Sequence, residues 1–156
     1  MESTMNLSEL SIVAEVELVY RNKVRPSDRP KVSRSKDAYD CFMATWNLDK
    51  IEFVEQFKMM LLNRAGRVLG IVDISTGGVS GTFVDIKVIF SAALKGNATS
   101  IILAHNHPSG NLKPSQNDLE LTKRIARAGE ILDIRVNEHL IITFDGFYSF
   151  ADEGLI

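Results

Sequence analysis

Residues Ser100–Asp118 read SIILAHNHPSGNLKPSQND, and this segment carries signals for both fold and chemistry. Its opening run, SIILAH, is short and apolar, which predicts a strand buried on both faces of a sheet. Pro108, Gly110 and Pro114 follow as turn residues. Ser115 and Asp118 then have the spacing of a capping box, which opens a helix. The segment therefore predicts a strand, a loop and a helix in that order.

Helices and strands are both predicted on either side of this segment. Helices are favoured where apolar residues recur at helical spacing, and strands where β-branched or apolar runs end at turn residues. The predictions are a helix over Ser35–Asn47 capped by Ser35, a hairpin over Val54–Gly78 with its turn at Asn63–Gly66, a helix from Asp85 that stops at Gly96, a helix over Ser115–Gly129, and two or three strands over Ile131–Phe150. This order predicts an α/β fold in α-β-α layers, with a mixed β-sheet and helices on both faces.

The N-terminal part differs in character from the rest. Ser11–Lys23 alternates and is rich in β-branched residues, which predicts a strand. Arg25–Ser35 is polar and contains two prolines, so we expect a solvated loop or arm, with a phosphate-contacting arm as the alternative. We therefore divide the chain into an N-terminal strand and arm, residues 1–34, and a main domain, residues 35–156.

Composition narrows the possible functions. The net charge of the 156-residue chain is −2, which argues against nucleic acid as its main partner. A single cysteine, Cys41, excludes an intrachain disulfide and a cysteine-based zinc site within one chain. No apolar run reaches the length of about 18 residues typical of a membrane span. The N-terminus lacks the pattern of a signal peptide, so a cytoplasmic location is expected.

His105 and His107 are the unusual part of the loop. In an extended segment, residues i and i+2 point to the same side, so both imidazoles can face one metal ion. Asp118 could add a carboxylate if the loop folds back, and three protein ligands are the pattern of a catalytic zinc site. A capped turn with incidental histidines is the competing interpretation, and it explains Ser115 and Asp118 but neither histidine. A nucleic-acid contact is the third.

A hydrolytic zinc site also needs a general base. Metalloproteases of the HExxH type place a glutamate between the histidines, but Asn106 stands there in this chain. Glu55 and Glu52 both lie near the start of the predicted hairpin, and spacing does not choose between them. His139, within a predicted strand, is expected to be a hydrogen-bonded core or supporting residue and not a ligand.

The spacing His105-x-His107-x7-Ser115-x2-Asp118 resembles the JAMM motif of JAB/MPN metallopeptidase-like domains. The flanking text ILAHNHPSGNLKPSQNDLELTKRI is similar to the RadC-like branch, as are EQFKMMLLNRAGRVLG and EHLIIT. The resemblance covers Ser35 to Ile156. Two departures stand out: Glu138 precedes His139 where the family usually has aspartate, and no helix-hairpin-helix pair is predicted before Glu55. We therefore expect a short form without that N-terminal region.

The resemblance implies a set of roles. His105, His107 and Asp118 would be zinc ligands, and Glu55, which matches the motif glutamate, would be the general base. Ser115 would donate a hydrogen bond to the oxyanion. The implied fold has cytidine-deaminase-like α-β-α layers. The implied reaction is zinc-dependent hydrolysis of a peptide, isopeptide or related amide bond, with a peptide or protein as substrate.

Other functions compete with this one. The RadC name suggests a DNA-associated accessory protein, in DNA repair or in mobile elements, and a non-catalytic zinc or partner-binding domain is a further candidate. The letters HNH suggest a nuclease, but that motif names three separated residues, and a two-metal nuclease needs more carboxylates. A zinc deaminase needs a Pro-Cys-x-x-Cys pair, which this chain lacks.

Overall fold

The structure is a computed structural model that describes residues 17, 21, 23–79 and 81–156. The strand predicted over Ser11–Lys23 falls almost wholly outside the described residues. The described part contains one five-stranded sheet, three α-helices and two short 3-10 turns, Pro26–Asp28 and Leu48–Lys50. None of the helices described has both the length and the apolar character needed to cross a membrane.

The sheet is mixed, as predicted. Its strands are β1 (Gln56–Leu62), β2 (Val68–Thr76), β3 (Ser100–Asn106), β4 (Arg135–Thr143) and β5 (Gly146–Ser149), in the spatial order β2-β1-β3-β4-β5. β1 is antiparallel to both β2 and β3, β3 is parallel to β4, and β4 is antiparallel to β5. The parallel pair needs a crossover connection, which a helix supplies.

Helices cover both faces of this sheet. They are α1 (Ser35–Thr45), α2 (Ile86–Lys95) and α3 (Gln116–Ile131). α1 packs on one face, around Phe42, Met60 and Ile102. α2 and α3 pack on the other face, around Phe90, Leu103 and Ile125. The α-β-α layers predicted from the sequence are therefore confirmed.

The side chains of β3 alternate between the two faces of the sheet, and this alternation determines which face carries the candidate site. Leu103 belongs to the core under α2 and α3, whereas Ile102 and Ala104 belong to the core under α1. Successive side chains of a strand point to opposite faces. His105 accordingly stacks near Phe57 on the α2–α3 face, and Asn106 reaches the backbone of Ile51 on the α1 face.

Several predicted element ends are confirmed. The hairpin turns at Asn63–Gly66, where Gly66 has φ of 72°, a conformation that glycine adopts without strain. Asp85 caps α2 by accepting a hydrogen bond from the Lys87 amide, and Gly96 follows the last residue of that helix. β1 begins at Gln56, one residue after Glu55.

Two predicted helix ends are wrong. Ser35 does not cap α1; its hydroxyl bonds Ser149 and Asp152, while Asp37 accepts hydrogen bonds from the amides of Ser33 and Arg34. Gly129 does not end α3, which runs to Ile131.

The physical reason for this second error is a close approach. A Cβ on Gly129 would lie 2.3 Å from the carbonyl oxygen of Ile134. The glycine therefore lets the returning chain pass over the helix. The residue that adopts the left-handed backbone conformation after the helix is Asp133, with φ of 54°.

The start of β4 and the polar arm also differ from the predictions. Ile131 ends α3, so the predicted strand region begins at Arg135 and holds two strands. The arm is not simply solvated, because Val32 N–H donates to Gly66 and Val68 N–H donates to Pro30. This part of the arm is therefore fixed against the β1–β2 turn.

Candidate metal centre

An open cavity of about 650 Å³ lies on the α2–α3 side of the sheet. Three elements meet there: the end of β3, the chain just before β1, and the first turn of α3. The site residues proposed from the sequence all line this cavity: Glu55, His105, His107, Ser115 and Asp118. Glu52 is exposed and does not line it. The structure thus brings Glu55 and not its rival to the candidate centre.

His107 lies one residue past β3, and a backbone contact orients its ring. Its Nδ1 lies 2.6 Å from the carbonyl oxygen of Asn111. A carbonyl oxygen can only accept a hydrogen bond, so Nδ1 carries the proton. In a neutral ring Nε2 is then left with a free lone pair, and it points toward the Asp118 carboxylate at 3.5 Å.

His105, His107 and Asp118 converge on one point. Nε2 of His105 lies 3.0 Å from Nε2 of His107 and 3.3 Å from a carboxylate oxygen of Asp118. One potential ligand atom from each residue lies within 4.8 Å of the other two. Across the described ranges, these three residues form the one group of histidine, cysteine or acidic side chains with this property. Two imidazoles and one carboxylate are a donor set that fits zinc.

Asp118 also takes part in the capping box predicted for α3. Its carboxylate accepts from the Ser115 amide at 2.7 Å, and its own amide donates to the Ser115 hydroxyl oxygen at 3.1 Å. The capped-turn interpretation and the metal interpretation are therefore compatible. The cap fixes the carboxylate in the place where both histidine Nε2 atoms meet it.

The electrostatics of the cluster follow from these contacts. Burial alone would raise the pKa of Asp118, but the adjacent imidazoles of His105 and His107 outweigh it and hold that pKa well below its usual range. The adjacent Asp118 carboxylate raises the pKa of His107 because it favours the protonated ring, and the Asn111 carbonyl adds to the effect. The site thus concentrates negative charge at the point that the two Nε2 atoms face.

Glu55 lines the same cavity. Its backbone is held on both sides, because its amide donates to Gly78 and its carbonyl accepts from Gly77. Burial raises the pKa of Glu55, while the nearby imidazoles of His105 and His107 lower it in part. A half-buried carboxyl group with a raised pKa is suited to accepting and returning a proton near neutral pH.

Asn106 is a residue whose role the sequence did not reveal. Its fully buried side chain accepts from the Gln56 amide at 2.7 Å and donates to the carbonyls of Ile51 at 2.7 Å and Val54 at 2.9 Å. Val54 and Gln56 flank Glu55, so one amide group holds the chain on both sides of it. An asparagine directly after the apolar run SIILAH is the sequence signal that could have indicated this.

Two further polar residues lie behind His105. His139 is fully buried between the rings of Phe57 and Phe150, and its Nε2 lies 2.8 Å from Nδ1 of His105. Thr122 lies 2.7 Å from the other ring nitrogen of His139. Burial holds the pKa of His139 well below its usual range. The prediction that His139 is a hydrogen-bonded core residue and not a member of the ligand cluster agrees with this placement.

Comparison with known proteins places the chain in a family. Residues 32–155 match the RadC-like JAB domain. The chain is 42% identical over 147 residues to a UPF0758 protein of Flavobacterium johnsoniae, covering 94% of this chain and 63% of that protein. It is 47% identical over 103 residues to a UPF0758 protein of Porphyromonas gingivalis, covering 65% of this chain and 45% of the relative.

A third relative, the UPF0758 protein YfjY of Escherichia coli, is 41% identical over 102 residues, or 65% of this chain and 64% of its own length. The chain therefore spans less than two thirds of each of these three relatives. The resemblance that the sequence suggested is confirmed, and the chain belongs to the RadC-like JAB domain family.

Proposed function

We propose that this chain is a zinc-dependent hydrolase of the JAMM type, acting on a peptide, isopeptide or related amide bond. The observation that carries the proposal is the convergence of two imidazole Nε2 atoms and one carboxylate in an open cavity that a half-buried glutamate also lines. Membership of a JAB-domain family supports the same class of site.

His105, His107 and Asp118 would hold the zinc ion. Each offers one atom without any change in its other hydrogen bonds, since the second nitrogen of each imidazole and the capping contact of Asp118 are already engaged. Three protein ligands are the number found in catalytic rather than structural zinc sites. When bound, zinc would polarise a substrate carbonyl and make water a better nucleophile near neutral pH.

Glu55 and Ser115 would carry the proton and oxyanion chemistry. Glu55 takes a proton from the attacking water and returns it to the leaving amine. The Ser115 oxygen accepts from the Asp118 amide, so its hydroxyl hydrogen is available to donate toward an oxyanion. Backbone amides at the start of α3 favour negative charge at the same place.

The cavity rim supports a peptide or protein as the substrate. Val79 and Phe83 are both exposed, and both line the cavity together with Pro108 and Leu121. Exposed apolar side chains beside a polar centre offer a contact surface for the chain on either side of a scissile bond. The cytoplasmic location expected from the sequence stays a prediction.

The test compares the parent with Glu55→Gln, His107→Ala and a matched control, Glu52→Gln, which alters the exposed rival outside the cavity. Zinc content is measured by elemental analysis, and cleavage of a short-peptide mixture and a lysine-linked isopeptide by mass spectrometry. We expect one zinc ion per chain except in His107→Ala. Cleavage is expected from the parent and Glu52→Gln, with a loss of about 100-fold or more in Glu55→Gln.

Equal cleavage by Glu55→Gln and the parent would remove Glu55 as the base, and full zinc content in His107→Ala would remove the ligand assignment. The DNA-associated alternative has its own test, binding to duplex and single-stranded DNA measured by fluorescence anisotropy. Binding that weakens steeply with salt, together with no cleavage by the zinc-loaded parent, would replace the hydrolase proposal.

A further inference from the structure

A continuous run of hydrogen bonds links two of the three candidate ligands behind the cavity. Nδ1 of His105 lies 2.8 Å from Nε2 of His139. Nδ1 of His139 lies 2.7 Å from Oγ1 of Thr122, which lies 2.6 Å from the backbone carbonyl oxygen of Asp118. Three of its members, His105, His139 and Thr122, are at most 1% exposed. The run therefore lies in the core, where bulk water does not compete for its hydrogen bonds.

The direction of every bond in this run follows from its last member. The Asp118 carbonyl can only accept, so the single hydroxyl hydrogen of Thr122 lies on that contact. Oγ1 of Thr122 must then accept from His139, which places the proton of the neutral His139 ring on Nδ1. Nε2 of His139 is left as an acceptor, and it takes its hydrogen from Nδ1 of His105. Nε2 of His105 consequently keeps its lone pair.

We propose that Thr122 and His139 are positioning residues that hold His105 as its Nδ1–H tautomer, with the Nε2 lone pair fixed toward His107 and Asp118. This role rests on the proposed function, because it prepares His105 as a ligand before a metal ion binds. A histidine's tautomer is set by the hydrogen bond that its other nitrogen makes. For His107 a backbone carbonyl does this directly. For His105, the side chains of His139 and Thr122 connect Nδ1 to the backbone carbonyl of Asp118, and this connection fixes the tautomer in the same way.

The same run of hydrogen bonds has a second effect, because it connects two candidate ligands of one ion, His105 and Asp118. Thr122 lies one helical turn after Asp118, so its hydroxyl ties the first turn of α3 to the buried ring of His139 on β4. His139 in turn contacts His105 on β3. The distance between the ligand on the helix and the ligand on the strand is therefore fixed by the core, independently of the loop between them.

The test uses Thr122→Val, which keeps the side-chain shape and removes the hydroxyl, and Thr122→Ser, which restores the hydroxyl. Thr45→Val is the matched control, because Thr45 also bonds the carbonyl four residues earlier in a helix, at Cys41, but lies in α1. A second variant, His139→Phe, keeps an aromatic ring in the stack and removes both nitrogens.

Two readouts are measured. The tautomer of His105 is read from its ring ¹⁵N chemical shifts in metal-free protein near pH 8, where an unperturbed imidazole is neutral. Zinc affinity is read by competition with a chromophoric chelator. We expect the Nδ1–H tautomer in the parent, a mixture in Thr122→Val, and zinc binding about 10- to 100-fold weaker in Thr122→Val and His139→Phe. Thr122→Ser and Thr45→Val should match the parent in both readouts.

An Nε2–H tautomer in the parent, or unchanged tautomer and affinity in Thr122→Val, would overturn the inference. Failure of Thr122→Ser to recover what Thr122→Val loses would also overturn it, since the effect would then come from packing. The proposed function fails separately. If the tautomers behave as expected but the parent binds no zinc, the positioning role of Thr122 and His139 is supported and the hydrolase proposal is rejected.

Discussion

At the scale of single residues, Asn106 shows how one strand serves both faces of the sheet. It stands between the two candidate histidine ligands in sequence, yet its side chain lies on the α1 face, away from both of them. From there it holds the chain on either side of Glu55 through three hydrogen bonds. A residue of the candidate metal-binding segment thereby sets the position of the candidate base.

This role predicts a separation between metal binding and hydrolysis. Asn106→Ala leaves the Gln56 amide and two carbonyls without partners, so the free energy of unfolding should fall by about 2–4 kcal/mol. Zinc binding should persist because the ligands lie on the other face, whereas cleavage by the folded fraction should fall because Glu55 loses its anchor. Urea unfolding, zinc analysis and peptide cleavage measure the three quantities.

Asn137→Ala is the matched control for this variant, since Asn137 is exposed and, among the residues that the structure describes, its side chain bonds only Ser100. Its effect on the free energy of unfolding should be well below that of Asn106→Ala. Parent-like cleavage by folded Asn106→Ala would show that Glu55 is placed by other contacts.

At the scale of elements, the start of α1 depends on a charged cap. The carboxylate of Asp37 accepts from the Ser33 and Arg34 amides at 3.0 Å each. The hydrogen bond from Ser33 and the contact with the Arg34 guanidinium lower the pKa of Asp37 from its ordinary 3.8. Helix starts favour negative charge for the same reason, because their first amides have no partner within the helix.

The lowered pKa gives the stability of α1 a definite pH dependence. Because the folded-state pKa lies below 3.8, the charged carboxylate stabilises the fold above that pH, and this stability is lost as pH falls through the folded value. Asp37→Ala should lower the urea midpoint at pH 7, and the difference from the parent should shrink at about pH 3 and below. Asp40→Ala, which removes only an exposed pair with Lys36, should change little at either pH. A pH-independent difference for Asp37→Ala would contradict this account.

The sequence predicted which elements exist better than where each begins and ends. The strands of the main domain, the hairpin turn at Gly66 and the cap at Asp85 depend on local patterns, and they are confirmed. Ser35 and Gly129 were misread because tertiary contacts decide their roles. Ser35 is drawn to Ser149 and Asp152, and Gly129 makes room for the carbonyl of Ile134. Neither partner is visible in the local sequence.

The same reasoning applies to the candidate site. Its two histidines, serine and aspartate lie within one segment, so their spacing was informative. Glu55 reaches the cavity only because β1 pairs with β3, with Phe57 opposite His105. Thr122 is a buried residue of α3, and no local pattern in the sequence reveals its role. Its link to His139 depends on β4 lying beside β3, which puts His139 opposite Leu103.

At the scale of the whole molecule, the sheet separates two hydrophobic cores that have different roles. One, under α1, contains no candidate ligand, and Phe42 is fully buried in it. The other lies under α2 and α3, where Ile125 is fully buried one turn after Thr122. Because distant sites act independently when they share no partners, a substitution in the first core should not change the affinity of the candidate metal centre for zinc.

Phe42→Ala and Ile125→Ala test this separation as a pair. Each removes a fully buried apolar side chain, so each should lower the free energy of unfolding, by about 3–5 and 2–5 kcal/mol respectively. The rise in melting temperature on adding zinc should match the parent in Phe42→Ala, because affinity for zinc is unchanged. It should be smaller in Ile125→Ala, since α3 carries Asp118 and Thr122. A reduced zinc response in Phe42→Ala would show that the two cores are coupled.

The division of the site between one continuous segment and one distant residue matters for a chain still being made. A fragment without β1 could hold all three candidate ligands, which come from His105 to Asp118, but would have no base. During synthesis β1 leaves the ribosome first, and Glu55 meets the ligands only after β3 has emerged and paired with it. A half-made copy would therefore carry Glu55 without the candidate ligands, and a misfolded copy in which β1 and β3 do not pair would not bring them together, so neither would have the complete candidate site.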